Sequence, residues 1–137
     1  QPEKVIDLDT MRLIVDAGTI QIADARGAAR FEGTEPEPRQ GLRSGHMPGA
    51  RNLPSNLFSA EGKLKPVPEL RAILEGAGLD LDRPVVTSCG SGVTAAIITL
   101  ALHSVGHEDN ALYDGSWTQW GGHSDTPVVT GPAADRT

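Results

Sequence analysis

Arg83-Pro84-Val85-Val86-Thr87-Ser88-Cys89-Gly90-Ser91-Gly92-Val93-Thr94-Ala95-Ala96-Ile97-Ile98 passes from a short apolar run, through two glycines, into a longer apolar run. That is the pattern of a buried strand, a tight loop and a helix. Cys89 stands at the end of the strand and is the single cysteine of the chain. Backbone N–H groups of such a loop, together with the N-terminus of the helix, form a concave site for negative charge, which favours a thiolate. A blander reading stays open, because a free cysteine is most often a small buried hydrophobe. The Gly-Ser-Gly that follows, and a helix opening on Val93-Thr94, favour the reactive thiol.

Outward from this stretch, strands and helices alternate. Asp9-Thr10 can cap a short helix through Met11, Leu13, Ile14 and Val15, stopped at Gly18. Residues 19–25 read as a strand. Residues 27–48 are rich in Gly, Pro, Glu and Arg without a hydrophobic period, and a loop of that length in a compact domain is functional or disordered. Residues 50–53 form a brief strand, followed by a turn or short helix at Pro54-Ser55-Asn56. Residues 67–76 are a helix with Leu70, Ile73 and Leu74 on one face. Residues 84–88 are a buried strand, 93–105 a helix apolar nearly all round and closed by Gly106, and 111–113 a last strand. Ser116 caps a short turn carrying Trp117 and Trp120, and a weakly structured tail spans 127–137. This alternation predicts an α/β fold with a mostly parallel sheet, whose ligand site lies beyond the carboxyl ends of the strands. Cys89 and the long 27–48 segment can then face one crevice.

The 137 residues are enough for one domain with a core of its own, spanning 1–137. A formal charge of −6 argues against nucleic acid or an anionic membrane surface as the main partner. One cysteine excludes an intrachain disulfide, and a functional free thiol suits a reducing cytoplasm. No apolar run approaches the length of a membrane span, and no signal-peptide pattern opens the chain.

Two kinds of cysteine enzyme can be weighed against the loop. A cysteine phosphatase needs an arginine six positions after its nucleophile to hold the phosphate, and Ala95 stands there. A cysteine hydrolase needs a positioned histidine base, and none of His46, His103, His107 and His123 has a spacing that suggests it reaches Cys89.

The loop Cys89-Gly90-Ser91-Gly92-Val93-Thr94-Ala95 closely resembles the active-site loop of the rhodanese superfamily, in the form found in the mercaptopyruvate branch. The resemblance continues through Asp24-Ala25-Arg26, Arg30-Phe31, Gly33-Thr34-Glu35-Pro36-Glu37-Pro38-Arg39, Gly45-His46-Met47-Pro48-Gly49-Ala50 and Tyr113-Asp114-Gly115-Ser116-Trp117. It implies a rhodanese-like α/β domain with a mostly parallel central sheet flanked by helices on both faces. It also implies a sulfurtransferase that moves sulfur from 3-mercaptopyruvate through a Cys89 persulfide to a thiol acceptor such as thioredoxin, or to cyanide, releasing pyruvate. No metal and no organic cofactor is implied.

By the same resemblance, Arg30 and Arg39 match the arginines that hold the substrate's carboxylate and keto oxygen. A guanidinium grips such planar oxygens in bidentate fashion. From the residues alone, both arginines could merely balance Glu32, Glu35 and Glu37 on a solvated loop. Gly90, Gly92, Val93 and Thr94 would cradle the transferred sulfur, and Ser91 would act beside Cys89. Asp24 and Arg26 match a pair that holds loops, and His46, Trp117 and Trp120 fit architecture better than chemistry. Members of this branch usually have two domains, and this chain matches the C-terminal one. The expected further partner is therefore an N-terminal rhodanese domain, on the same chain or as a separate fragment. Two other readings remain: a thiosulfate sulfurtransferase, disfavoured by the uncharged loop, and a non-catalytic binding or persulfide-relay module.

Overall fold

A computed structural model describes residues 5–37, 40–90 and 94–131. Along the chain run β1 (Val5–Ile6), α1 (Leu8–Ala17), β2 (Gln21–Asp24), α2 (Ala28–Glu32), β3 (Ala50–Asn52), a 3-10 turn (Ser55–Phe58), β4 (Ser59–Ala60) and β5 (Lys63–Leu64). They are followed by α3 (Val67–Gly76), β6 (Val85–Ser88), α4 (Ala95–Ser104), β7 (Asn110–Tyr113) and α5 (Ser116–Trp120). Among the described residues, five strands form one sheet in the order β1-β7-β6-β2-β3, with every neighbouring pair parallel.

The strands carry apolar residues on both faces, as a sheet covered on both sides requires. Successive residues alternate between two cores. Ala23, Val85 and Leu112 pack with Leu70 and Leu74 of α3 and with Ile98, Ala101 and Leu102 of α4. Their neighbours Ile22, Val86 and Tyr113 pack with Met11 and Val15 of α1, Phe31 of α2, and Trp117 and Trp120 of α5. The chain is therefore a three-layer α/β fold with helices on both faces, as expected. Residue β6-Val86 pairs with Ile22 on one side and Ala111 on the other, so β6 lies in the middle. Its four residues are all buried.

Local details differ from the reading of the sequence. The first helix starts earlier, because Asp7 rather than Asp9 is the cap: its carboxylate accepts from the Thr10 N–H at 2.9 Å. The apparently aperiodic 27–48 segment contains α2, whose Phe31 is 1% exposed. Ser59 to Leu64 form a hairpin whose loop residues, Glu61 and Gly62, both have positive φ. That is the backbone a two-residue hairpin turn demands, though Glu is an unusual occupant. Ser116 does not cap the last turn. It is the first residue of α5, and Gly115 takes the cap position. The α4 helix is described from Ala95, and Val93 lies outside the described residues.

Residues 127–131, expected to begin a weakly structured tail, are held against the body, while 132–137 lie outside the described residues. Val129 and His46 exchange backbone bonds of 2.8 and 2.9 Å, and the Gly131 N–H donates to the Glu32 carbonyl at 2.7 Å. Gly45 admits this strap, since a Cβ there would come 2.3 Å from the Val129 carbonyl oxygen. His46 is 1% exposed, stacks on Phe31 at 3.8 Å between ring centroids, and places Nδ1 2.8 Å from the Phe31 carbonyl oxygen.

Burial lowers the pKa of His46 below the ordinary histidine value. Below about pH 6.5 the unfolded chain then binds a proton that folded His46 resists. Stability contributed by neutral His46 should be intact above that pH and decline as pH falls from about 6.5 toward the lowered value. Urea unfolding across pH 5–7 should show this decline in the wild type and a flatter profile in His46→Gln. Equal slopes would show that His46 does not supply it.

Candidate active site

Cys89 follows β6 directly, at the carboxyl end of the sheet where open α/β folds hold their ligands. Its side chain is fully buried against the cluster that joins α3 and α4 to the sheet. Its main chain is bound to the other layer. The Cys89 carbonyl accepts from the Trp117 N–H at 2.8 Å. The Gly90 carbonyl accepts from the Thr118 N–H at 3.0 Å and from the Thr118 hydroxyl at 2.7 Å. With the Cys89 carbonyl facing α5, peptide planarity turns the N–H of Gly90 away from that helix.

Ser116 lies beside the thiol. It is fully buried, and its Oγ stands 3.8 Å from Cys89 Sγ while donating to the Tyr113 carbonyl at 3.1 Å. Its φ of +53° is uncommon for a residue with a Cβ.

A cavity of about 410 Å³ opens beside this loop, with Arg26, Arg30, Glu37, Gly90, Thr94 and Thr118 in its walls. Arg30 projects from α2, and its Nη2 donates to Glu37 Oε1 at 2.8 Å. This hydrogen bond raises the guanidinium pKa further above its ordinary value. The Arg30 side chain keeps 29% exposure, whereas Glu37 keeps only 1%. Arg30 also lies close over the cysteine loop: a Cβ on Gly90 would stand 2.8 Å from its Nη2. Glu37 in turn reaches Arg26 Nη1 at 3.2 Å. Arg26 binds both oxygens of Asp24 and the Gly45 carbonyl, and its guanidinium carbon lies 4.3 Å from the centre of the Trp117 ring.

Of the residues singled out in the sequence, Arg30, Gly90 and Thr94 wall one cavity, and Cys89 adjoins Gly90. Arg39, Ser91, Gly92 and Val93 lie outside the described residues. No histidine is among the described residues lining the cavity. His46 serves the strap, His107 Nε2 lies 2.7 Å from the Arg83 carbonyl oxygen, and His103 and His123 are exposed. Thr118, the place of Ser116 beside the thiol and the cavity-facing side of Arg26 were not foreseen, and Glu37 was named only as one of three glutamates that the arginines could balance. The strand-end logic that drew attention to Cys89 applies equally to the residues after β7, and would have found Ser116 and Thr118.

The left-handed backbone of Ser116 leads to a test by substitution. Ser116→Ala keeps the strained φ and removes the donor to Tyr113, whereas Ser116→Gly removes the donor and relieves the backbone. Denaturant unfolding should find the Gly variant more stable than the Ala variant by about 1 kcal/mol. The opposite order would show that Ser116 is not strained.

Comparison with known proteins bears on this geometry. The rhodanese-like domain family matches residues 7–123. The 3-mercaptopyruvate sulfurtransferase of Escherichia coli K12 is 48% identical over 127 residues, covering 93% of this chain and 45% of the relative. Thiosulfate/3-mercaptopyruvate sulfurtransferase 1, mitochondrial, of Arabidopsis thaliana is 43% identical, covering 93% of this chain and 34% of the relative. The crystal structure of the Saccharomyces cerevisiae Tum1 protein superposes with a TM-score of 0.84 at 38% identity, covering 96% of this chain and 47% of that one. The chain thus spans less than half the length of these relatives. With the family match extending from α1 beyond α5, and the fold shared with Tum1, the chain belongs to the rhodanese-like domain family.

Proposed function

We propose that this chain carries the nucleophile of a sulfurtransferase that takes sulfur from 3-mercaptopyruvate and releases pyruvate. The observation that carries the reading is the meeting of Arg30 with the cysteine loop, a guanidinium held against Gly90 at the mouth of a cavity. Similarity to the E. coli 3-mercaptopyruvate sulfurtransferase supports the same donor.

In the first half-reaction the Cys89 thiolate attacks the sulfur of the donor. The carbon–sulfur bond breaks, and its electron pair passes to the carbon as the enolate of pyruvate, which takes a proton from solvent. Arg30 holds the donor's carboxylate or keto oxygen and stabilises the enolate charge. Arg39 is the proposed second hand, with Ser91 acting beside the nucleophile. The backbone of residues 90–94 is the proposed cradle of the persulfide. In the second half-reaction an acceptor thiolate attacks the outer sulfur of the persulfide. The sulfur–sulfur bond breaks, Cys89 returns as thiolate, and the acceptor leaves as its own persulfide. A dithiol protein of the thioredoxin type is the proposed acceptor, with cyanide as a laboratory substitute. Because a nucleophilic thiol must stay reduced, the cytoplasm is the proposed setting. The relatives' greater length supports a second rhodanese-like domain, in cis or as a separate chain, that completes the crevice.

Thiosulfate is the second donor to consider, since the Arabidopsis relative is named for both donors. The absence of a basic residue between Cys89 and Thr94 weighs against this dianion.

Mass spectrometry decides the mechanism. After incubation with 3-mercaptopyruvate, Cys89 should gain one sulfur atom, and a thiol should remove it. No gain, with the chain alone and with an N-terminal domain restored, would overturn the reading. The role of Arg30 has its own test in Gly90→Ala, whose methyl group displaces the guanidinium. The donor KM should rise roughly tenfold, the cost of one hydrogen bond to a charged group, with little change in melting temperature. An unchanged KM would remove Arg30 from the binding site.

A further inference from the structure

The carboxylate of Glu37 has no part in the scheme above, yet it lies in the cavity wall with 1% of its side chain exposed. A buried carboxylate is costly unless it is paired, and Glu37 is paired twice. Oε1 accepts from Arg30 at 2.8 Å and Oε2 from Arg26 at 3.2 Å. In the sequence Glu37 stands between Pro36 and Pro38, and a residue preceding proline is confined to extended backbone. The carboxylate is thus delivered by a stiff segment to a point between two guanidiniums.

The consequence is one of charge. Among the described residues, Arg26 and Arg30 face Asp24 and Glu37, so two positive side chains meet two negative ones. We infer that Glu37 is a specificity-determining residue: its charge cancels that of Arg30 over the cysteine loop, so that the cavity selects a singly charged donor over a doubly charged one. Arg30 keeps its remaining donors for planar oxygens, while the field that would draw in a dianion is lowered by one unit of charge. This inference rests on the sulfurtransferase reading for its donors, but the charge claim can be measured without turnover.

Persulfide formation on Cys89 is followed with 3-mercaptopyruvate and with thiosulfate, in which the thiolate takes the outer sulfur and sulfite leaves. In Glu37→Gln the thiosulfate-to-mercaptopyruvate ratio of kcat/KM should rise about tenfold, the effect of one added unit charge about 6 Å from the donor in a half-solvated site. Glu37→Asp keeps the charge and should keep the wild-type preference within about threefold. A merely structural glutamate would lower both donors together and leave the ratio unmoved. Binding of pyruvate and sulfate to Cys89→Ser, measured by calorimetry, separates the two claims. If the wild type accepts sulfur from neither donor, the functional reading fails and calorimetry still judges Glu37. Sulfate should bind no tighter than pyruvate, and Glu37→Gln should favour sulfate selectively. Tighter sulfate binding before substitution, no selective gain after it, no detectable binding of either anion, or equal ratios in the Gln and Asp variants would each overturn the inference. The first of these needs no Glu37 variant to fold.

Discussion

The guanidinium of Arg26 is removed from water into a place where four groups meet it: the carboxylates of Asp24 and Glu37, the Gly45 carbonyl and the ring of Trp117. Taking such a charge out of water is expensive, and the attraction of its partners repays this only when the geometry is good. The cluster is therefore weak evidence for stability and stronger evidence for position. Through Asp24 it fixes the end of β2, and through Gly45 the loop that carries His46. Through Glu37 it fixes Arg30, and through Trp117 it touches the helix that holds the carbonyl of Cys89. Removing the guanidinium would take the ion pair from buried Asp24 and leave Glu37 to Arg30 alone, which is why the surrounding loops depend on it.

The same convergence explains why the thiol lies where it does. A central parallel strand ends between two helical layers, and each layer can claim a different part of the residue that follows. The side chain of Cys89 goes to the α3/α4 layer, while its carbonyl goes to α5. Neither helix alone would define the loop, because one contact is apolar and nondirectional and the other is a directed hydrogen bond. Together they set the start of the loop while Gly90 leaves room for Arg30.

Legibility in the sequence followed the physical range of each signal. Helix α3 was read to its ends because a hydrophobic face repeats over ten residues. The β6-loop-α4 unit was legible because a fully buried strand and an almost wholly apolar helix need no distant partner to be seen. Helix α2 was not, because five residues give the helical period too little length, and its one anchor, Phe31, looks isolated until the opposite core is assembled. The two-residue β1 is similar: it exists through its pairing with β7. Arg30 entered as a candidate through the family resemblance rather than through spacing. Which of the nearby glutamates meets Arg30, and that Thr118 holds Gly90 across 28 residues of chain, are matters of geometry that sequence pattern does not carry.

Arg30 shows why the two sequence readings of the arginines were not true alternatives. A solvated loop arginine balancing a glutamate and a substrate-holding arginine look like competing roles, yet a guanidinium has five N–H donors in a rigid plane. Among the described residues, Glu37 engages Arg30 through Nε and Nη2. This fixes the plane of the fork without exhausting it, and the residue keeps partial exposure toward the cavity. A lysine could not divide the work in this way, since its charge is a point at the end of a flexible stem. The pairing that seemed to argue against function therefore holds the guanidinium still with donors to spare, as the proposed grip on a planar acid requires.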